Sequence, residues 1–403
     1  MTATISGGQG VYALGNVDQG NLVVVPSGQT PPPPESPDQV LVIIGGDTPP
    51  SNVPNGYQAV VYISGEGTLV TLTGDISFAA PAGSAGFGLP TITVTGGAGP
   101  ETIEGGANPI MIEGGSGPDS LVGGSSSATI MGGTGADTIV GGSGLDLIYG
   151  AAGDSITGGS GEATIFGGAG DTIEGGSGVD VVFGASADSI VGGAGDFTVW
   201  AAPTDSVFGG SGTNVLHGEA GNAFLIGSTG ATTIYGGLGD TILAGFGRTV
   251  IYGAGSEQIQ GGLRFGSAEN TIYGGVADTI FAGAGPRIVH GEAGGQLIVA
   301  QRGNTTIFGG AGDTIEGGFN HDLIAFGRGD ELLLEVHPGS NDTITGFHAA
   351  AGDRISFRNE THKEIESIVA TQKHHQGNTI LHLPDGVKLT LIGVHHVNAG
   401  FFG

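Results

Sequence analysis

From Gly96 to Gly318 a large aliphatic residue returns every eight or nine positions, as a rule two residues before a pair of glycines. TIVGGSGLDLIYG (138–150) and SLVGGSSSATIMGGTGADTIVGG (120–142) show the phrase, with Leu121, Ile130, Ile139 and Ile148 at the aliphatic position. One such unit offers a short strand, a turn and a single inward side chain, so it cannot bury its own apolar face, and units have to stack. The pattern predicts an all-β chain wound as a parallel β-roll, a β-solenoid with two units, or 17–18 residues, in each coil. Elsewhere the pattern changes. Residues 1–25 form an N-terminal β segment, and 26–54 are a Pro-rich linker or arm containing PPPPESPD and DTPPSNVP. Residues 55–95 alternate apolar and polar positions, as expected of a β cap on the first coil. The repeats fill 96–318, with a four-residue insertion at 263–270, and 319–403 is a closing cap with a short helix expected at 361–370.

Aligning the units on their glycine pairs puts the residue four before the pair alternately on two edges of the roll. One edge reads Glu101, Asp119, Asp137, Asp154, Asp171, Asp188, Asp205, Ala223, Asp240, Glu257, Asp278, Gln296 and Asp313. The other reads Ile110, Ala128, Asp146, Ala163, Asp180, Phe197, Asn214, Thr232, Thr249, Asn270, Arg287, Thr305 and Asp322, so the carboxylates form a one-sided ladder. Residues 1–247 hold 22 Asp and Glu and no Lys or Arg, which leaves these acids without counter-charges of their own. Coils about 4.8 Å apart would set neighbouring carboxylates repelling by roughly 3–4 kcal/mol at an effective dielectric of 20. Such a column requires cations or many backbone N–H donors. The net charge of −28 argues against nucleic acid and anionic membranes as partners. The absence of cysteine leaves oxygen-ligated metal or packing as the only staples. No apolar run is long enough to insert in a membrane.

GGAGPETIE, GGSGPDSLV, GGTGADTIV, GGSGLDLIY and GGSGVDVVF share the form G-G-x-G-x-acid, followed by an aliphatic residue two places on. They resemble the nonapeptides of the RTX family, which form a parallel β-roll with Ca2+ held between successive turns. Glycine allows the turns left-handed backbone, and carboxylates with carbonyls make an all-oxygen site for a hard cation. The resemblance implies Ca2+ as cofactor, with Asp119, Asp137, Asp146, Asp154, Asp171, Asp180, Asp188, Asp205, Asp240, Asp278 and Asp313 as the candidate ligands. The chain also departs from the family: many acidic-edge units, such as GGAGDTIE (167–174 and 309–316), have eight residues and lack one turn residue before the Asp. There the alternative reading is an Asp that accepts hydrogen bonds from turn N–H groups. Calcium is expected first at the adjacent nine-residue forms of Asp119 and Asp137, and not continuously along the edge where Ala163 separates Asp146 from Asp180. The tail, with GFHAAAGDRISF and GNTILHLPDGVKLTLIGV, resembles the uncleaved C-terminal signal of RTX proteins exported by type I secretion, in keeping with a start that reads as no Sec-type signal peptide. A plain β cap is the alternative.

The residue just before the glycine pair on the acid-poor sheet reads Met131, Tyr149, Phe166, Phe183, Trp200, His217, Tyr235, Tyr252, Tyr273, His290 and Phe308. With the aliphatic residues filling the core, this column faces outward as an apolar stripe too long to leave in water. A second copy of the protein, this chain's own termini, or a carbohydrate stacked on the rings would cover it. The expected interface residues are Tyr149, Phe166, Phe183, Trp200, Tyr235, Tyr252, Tyr273 and Phe308. The opposite sheet carries a Thr/Ser column broken at Phe224, Gln258 and Leu297, which argues against an ice-matching face. Nine of the eleven histidines lie at or after residue 321, where solvated tail residues are the plainer reading than a metal or pH sensor. No nucleophile elbow, phosphate loop or His-Glu-x-x-His motif is present. The sequence thus points to a secreted, non-enzymatic structural protein of the bacterial surface or matrix. It would assemble into a homo-oligomer, layer or filament with calcium. The alternative is a polysaccharide-binding adhesin or a non-catalytic RTX module that accompanies a secreted enzyme.

Overall fold

A computed structural model describes residues 100–402 apart from 101, 106–108, 263–268, 330, 331, 336, 358, 359 and 384. Of residues 1–99 it describes residues 32, 33 and 35 and the backbones of seven strands: Ala3–Gly7, Gly10–Leu14, Leu22–Pro26, Val40–Ile44, Ala59–Ile63, Leu69–Thr71 and Ile92–Thr95. The turn-rich parts of the expected linker (26–54), most of the expected cap (55–95) and most of the insertion at 263–270 lie outside the described residues.

The repeats form a parallel β-solenoid of about 14 coils of ~17 residues, as the period predicts. It divides into two compact units, Met1–Val199 and Trp200–Gly403. In the first, Ser120, Thr138, Ser155, Thr172 and Ser189 stand in register on successive strands, and Leu121, Ile139, Ile156, Ile173 and Ile190 stand beside them. The aliphatic residues are fully buried. The facing sheet lines up Ile112, Ile130, Ile148, Ile165 and Val182 in the same way. The second unit repeats the scheme with Leu225, Ile242, Ile259, Ile280, Ile298 and Ile315 on one sheet. Leu216, Ile234, Ile251, Ile272, Val289 and Ile307 stand on the other. Burying each such side chain stabilises the coil by about 1.5–3 kcal/mol, and a one-residue slip would turn it out to solvent. Strands 18 residues apart (Ser120 and Thr138) and 17 apart (Thr138 and Ser155) nonetheless keep the same register. The missing residue is therefore absorbed entirely by the turn.

The C-terminal segment closes the roll of the second unit. Asn341–Thr345 pairs in parallel with Leu323–Ala325 and with Lys388–Leu391, which hairpins with Asn378–His382. The expected short helix is His362–Ala370, opened by a capping box between Thr361 and Glu364, and its Ile368 is buried together with Leu381, Leu389, Leu391 and Val397.

Candidate functional site

All the predicted carboxylate ligands are buried: nine directly precede a strand, Asp180 opens the strand Asp180–Phe183 and Asp146 is the second residue of Leu145–Tyr149. In nine of them the Oδ1 atom does one job: it accepts the backbone N–H of the corresponding residue one coil earlier. Asp137 accepts from Asp119 (2.8 Å), Asp154 from Asp137 (2.8 Å), Asp171 from Asp154 (2.9 Å) and Asp188 from Asp171 (2.8 Å). In the second unit Asp240 accepts from Ala223 (2.7 Å), Asp278 from Glu257 (2.9 Å) and Asp313 from Gln296 (2.8 Å). On the other edge Asp146 accepts from Ala128 (2.9 Å) and Asp180 from Ala163 (3.1 Å).

Their second oxygens divide into two classes. In the eight-residue units the acid turns back on its own turn, accepting the N–H three residues earlier: Ala151 to Asp154, Gly168 to Asp171, Ala185 to Asp188, Ala202 to Asp205, Gly237 to Asp240, Gly275 to Asp278 and Gly310 to Asp313, at 2.6–2.8 Å. Glu257 does the same through Ala254 (2.9 Å). These turns are closed, and at Asp154, Asp171, Asp188, Asp240, Asp278 and Asp313 two or three N–H donors per carboxylate replace the cations that stacked acids would otherwise require. In the nine-residue units of Asp137, Asp146 and Asp180 the Oδ2 atom is buried with no hydrogen-bond partner. Each lies where a side chain on the turn's first glycine would have to go, 2.8 Å from a Cβ on Gly132 for Asp137, 2.8 Å from one on Gly141 for Asp146 and 3.0 Å from one on Gly175 for Asp180. Asp119 ends the same kind of turn, 2.7 Å from a Cβ on Gly114.

Backbone conformation accounts for the division. In the open turns the second glycine is left-handed, with φ +100° at Gly133, +129° at Gly142 and +153° at Gly176. In the closed turns the left-handed residue comes last, just before the acid, even where it is not glycine: Ala187 (φ 69°), Thr204 (72°), Ser256 (55°) and Ala277 (62°). Burial, with the charges of Asp154 and Asp119 adding to it, raises the Asp137 carboxyl to about 6. Burial alone does the same for Asp180. Glu257 is pushed up to about 9 by burial and by the carboxylates of Asp278 and Asp240, so it keeps its proton at neutral pH.

An orphaned, buried carboxylate oxygen in a glycine-lined turn fits a hard cation with oxygen ligands. Among the described residues no three His, Asp or Glu side chains converge to hold a metal, so an ion here takes the rest of its ligands from backbone or water. The tail histidines form no such cluster either; His374 and His396 lie 6.1 Å apart and are exposed.

The aromatic column is a face-to-face stack. Tyr149, Phe166 and Phe183 follow one another at 5.1 and 4.8 Å between ring centres, with planes within 10°. In the second unit Trp200, His217, Tyr235, Tyr252, Tyr273, His290 and Phe308 continue at 4.5–5.1 Å. His217 and His290 are full members of the stack and meet Glu219 (3.0 Å) and Glu292 (3.2 Å) through Nδ1. The ring faces are taken by neighbours one coil away, and the edges look outward, leaving Tyr149, Trp200, Tyr235, Tyr252 and Tyr273 36–40 % exposed.

A family model for the RTX calcium-binding nonapeptide repeat (4 copies) matches residues 122–157, 157–186, 166–196, 208–243 and 299–330. A search among curated proteins finds no match to the chain. Repeats of this type bind calcium, so Ca2+ is the cofactor of the roll. They are typical of secreted proteins, and among the described residues no helix is long and apolar enough to cross a membrane.

Proposed function

Because this chain is an RTX β-roll protein, we propose that it is a secreted, non-enzymatic structural protein in which calcium fills the open turns of Asp119, Asp137, Asp146 and Asp180, and that the ordered roll associates with further copies through its stacked aromatic face. The observation that carries assembly is the row of ring edges in the second unit: Trp200, Tyr235, Tyr252 and Tyr273, 36–40 % exposed within one stack, form an apolar ridge, the composition of interface cores. Calcium supports association twice. It fixes the turns that align the first coils, and each ion offsets two of the net −28 charges that hold copies apart. The stack disfavours saccharides on this face, because sugars pack on ring faces and those are occupied.

Replacing Tyr235, Tyr252 and Tyr273 together by Thr keeps the β propensity and the core, since Ile234, Ile251 and Ile272 face inward. Sedimentation velocity in calcium should find wild-type assemblies and monomeric variant; a variant that assembles like wild type overturns the reading. A second reading, polysaccharide binding, is favoured by a separate open groove of about 480 Å3 lined by Gln260, Gln301, Arg302, Glu316, Phe319 and His337, a set of hydrogen-bonding side chains around one ring. Glycan binding that is lost in Arg302→Ala and kept in the triple Thr variant would establish it. Export through the C-terminal segment is part of the same reading. That segment also caps the roll, so residues 319–403 should be tested by fusing them to a passenger and measuring its secretion.

A further inference from the structure

On the acid-poor edge of the second unit, four of the seven positions equivalent to Asp146 and Asp180 are held by Asn214, Thr249, Asn270 and Arg287, all buried. These residues point donors back into their own turns. Asn214 Nδ2 donates to the carbonyls of Gly210 and Gly212 (both 3.0 Å), Thr249 Oγ1 to those of Ala244 (2.6 Å) and Gly247 (3.3 Å), and Asn270 Nδ2 to that of Gly261. Arg287 goes furthest. Its guanidinium donates from Nε to Ala282 O (3.2 Å), from Nη1 to Pro286 O (2.9 Å) and from Nη2 to Ala284 O, which are the first, third and fifth carbonyls of one turn. The residue is only 3 % exposed. The turn itself has the open form: Gly283, at the position of the pair's second glycine, is left-handed at φ +92° like Gly133 and Gly142.

We infer that turn 282–287 is a cation cage with its cation built in: the Arg287 guanidinium occupies the carbonyl-lined space that an external ion would take in an open turn ending in Asp. A planar group with five donors meets three converging carbonyls better than an ammonium does. A buried positive charge is tolerable only because those carbonyls are aimed at it. The preceding coil leaves room for it at Gly262, where a Cβ would fall 2.5 Å from Nη2. With Asn214 and Thr249 filling their turns by neutral donors as well, these turns of the second unit hold their shape without metal. The contrast with calcium rests on the assignment of the open turns above; the cage rests only on the hydrogen bonds.

The test uses the full chain and three variants, melted with chelator and with calcium. Arg287→Ala should lower the melting temperature by about 10 °C in both media, because three buried carbonyls lose their donors, and millimolar guanidinium should restore part of the loss while leaving wild type unmoved. Gly262→Ala, which crowds the guanidinium without removing it, should show the same medium-independent loss. Arg287→Asp should turn the cage into an external site, folding the second unit only with calcium and raising bound calcium by one ion over wild type. An Arg287→Ala protein that melts like wild type, or an Arg287→Asp protein that takes up no extra calcium, overturns the inference. If wild type itself binds no calcium at the open turns, the functional assignment fails, while the chelator-independent loss in Arg287→Ala still stands as support for the cage.

Discussion

The turn that ends at Asp137 has one residue more than the turn that ends at Asp171, and this difference separates a carboxylate with one buried oxygen left unpartnered from a hydrogen-bonded staple. Asp171 accepts three N–H groups, from Gly168 (2.6 Å) and from Gly153 and Asp154 (both 2.9 Å), and both of its oxygens are satisfied. Asp137 accepts one, from Asp119, and its other oxygen has no partner. The same residue type in the same column therefore carries two different chemistries, chosen by where the left-handed residue falls in the turn. A column of acids in a solenoid is not evidence of a column of ions.

Alanine substitution in the two classes should break this comparison most visibly. Asp171→Ala strands three backbone N–H groups and should destabilise the roll by about 3 kcal/mol or more, with calcium or chelator alike. Asp137→Ala should matter chiefly in calcium, removing about 2.7 kcal/mol of ion-linked stability at a calcium level one hundred times the dissociation constant. Thermal melts of both proteins in both media read this directly; equal losses in calcium and in chelator for Asp137→Ala would contradict it.

Deleting Ala136 sharpens the comparison by making GGTGAD into GGTGD, the closed form. The strands tolerate a 17-residue coil elsewhere, so the variant should fold, bind one calcium fewer by equilibrium dialysis, and lose less stability on chelation than wild type. An unchanged stoichiometry would mean that turn length does not select the ion.

The smallest effect concerns pH. The carboxyls of Asp137 and Asp180 hold protons up to about 6 in the folded roll but only to 3.8 when unfolded. The folded state therefore binds more protons between these values, and the metal-free protein should lose stability as pH rises from about 4 through 6, by a few degrees of melting temperature. Excess calcium, which favours the ionised form, should flatten or reverse that slope. A metal-free protein that gains stability over the same window would contradict the burial of these groups as acids.

Much of this was legible in the chain. The recurrent aliphatic residue fixed the coil, because a period with one inward position allows only stacking, and counting residues between glycines and Asp already separated the eight-residue from the nine-residue turns. Asn214 and Asp322 show where counting stops. Both end nine-residue units, yet Gly210 and Gly318 donate their N–H groups to the side chain and close those turns. Turn length permits the open form, and only the backbone angle of the second glycine decides it. The aromatic column was visible with His217 and His290 in it, but not that its ring faces would be consumed by stacking, since that depends on side-chain angles. Arg287 stood in the acid-poor column as an exception, and its sign, opposite to every charge at that position, was the available signal.

Hydrogen exchange followed by mass spectrometry, with calcium and then with chelator, tests the central claim most directly. If calcium belongs to the open turns and the closed turns are complete without it, chelation should raise exchange across 114–182, where the open turns lie. Exchange should stay unchanged across 237–313, where Asp240, Asp278 and Asp313 are satisfied by backbone N–H groups and Glu257 keeps its proton at neutral pH. Equal loss of protection in both segments, or loss confined to 237–313, would contradict it.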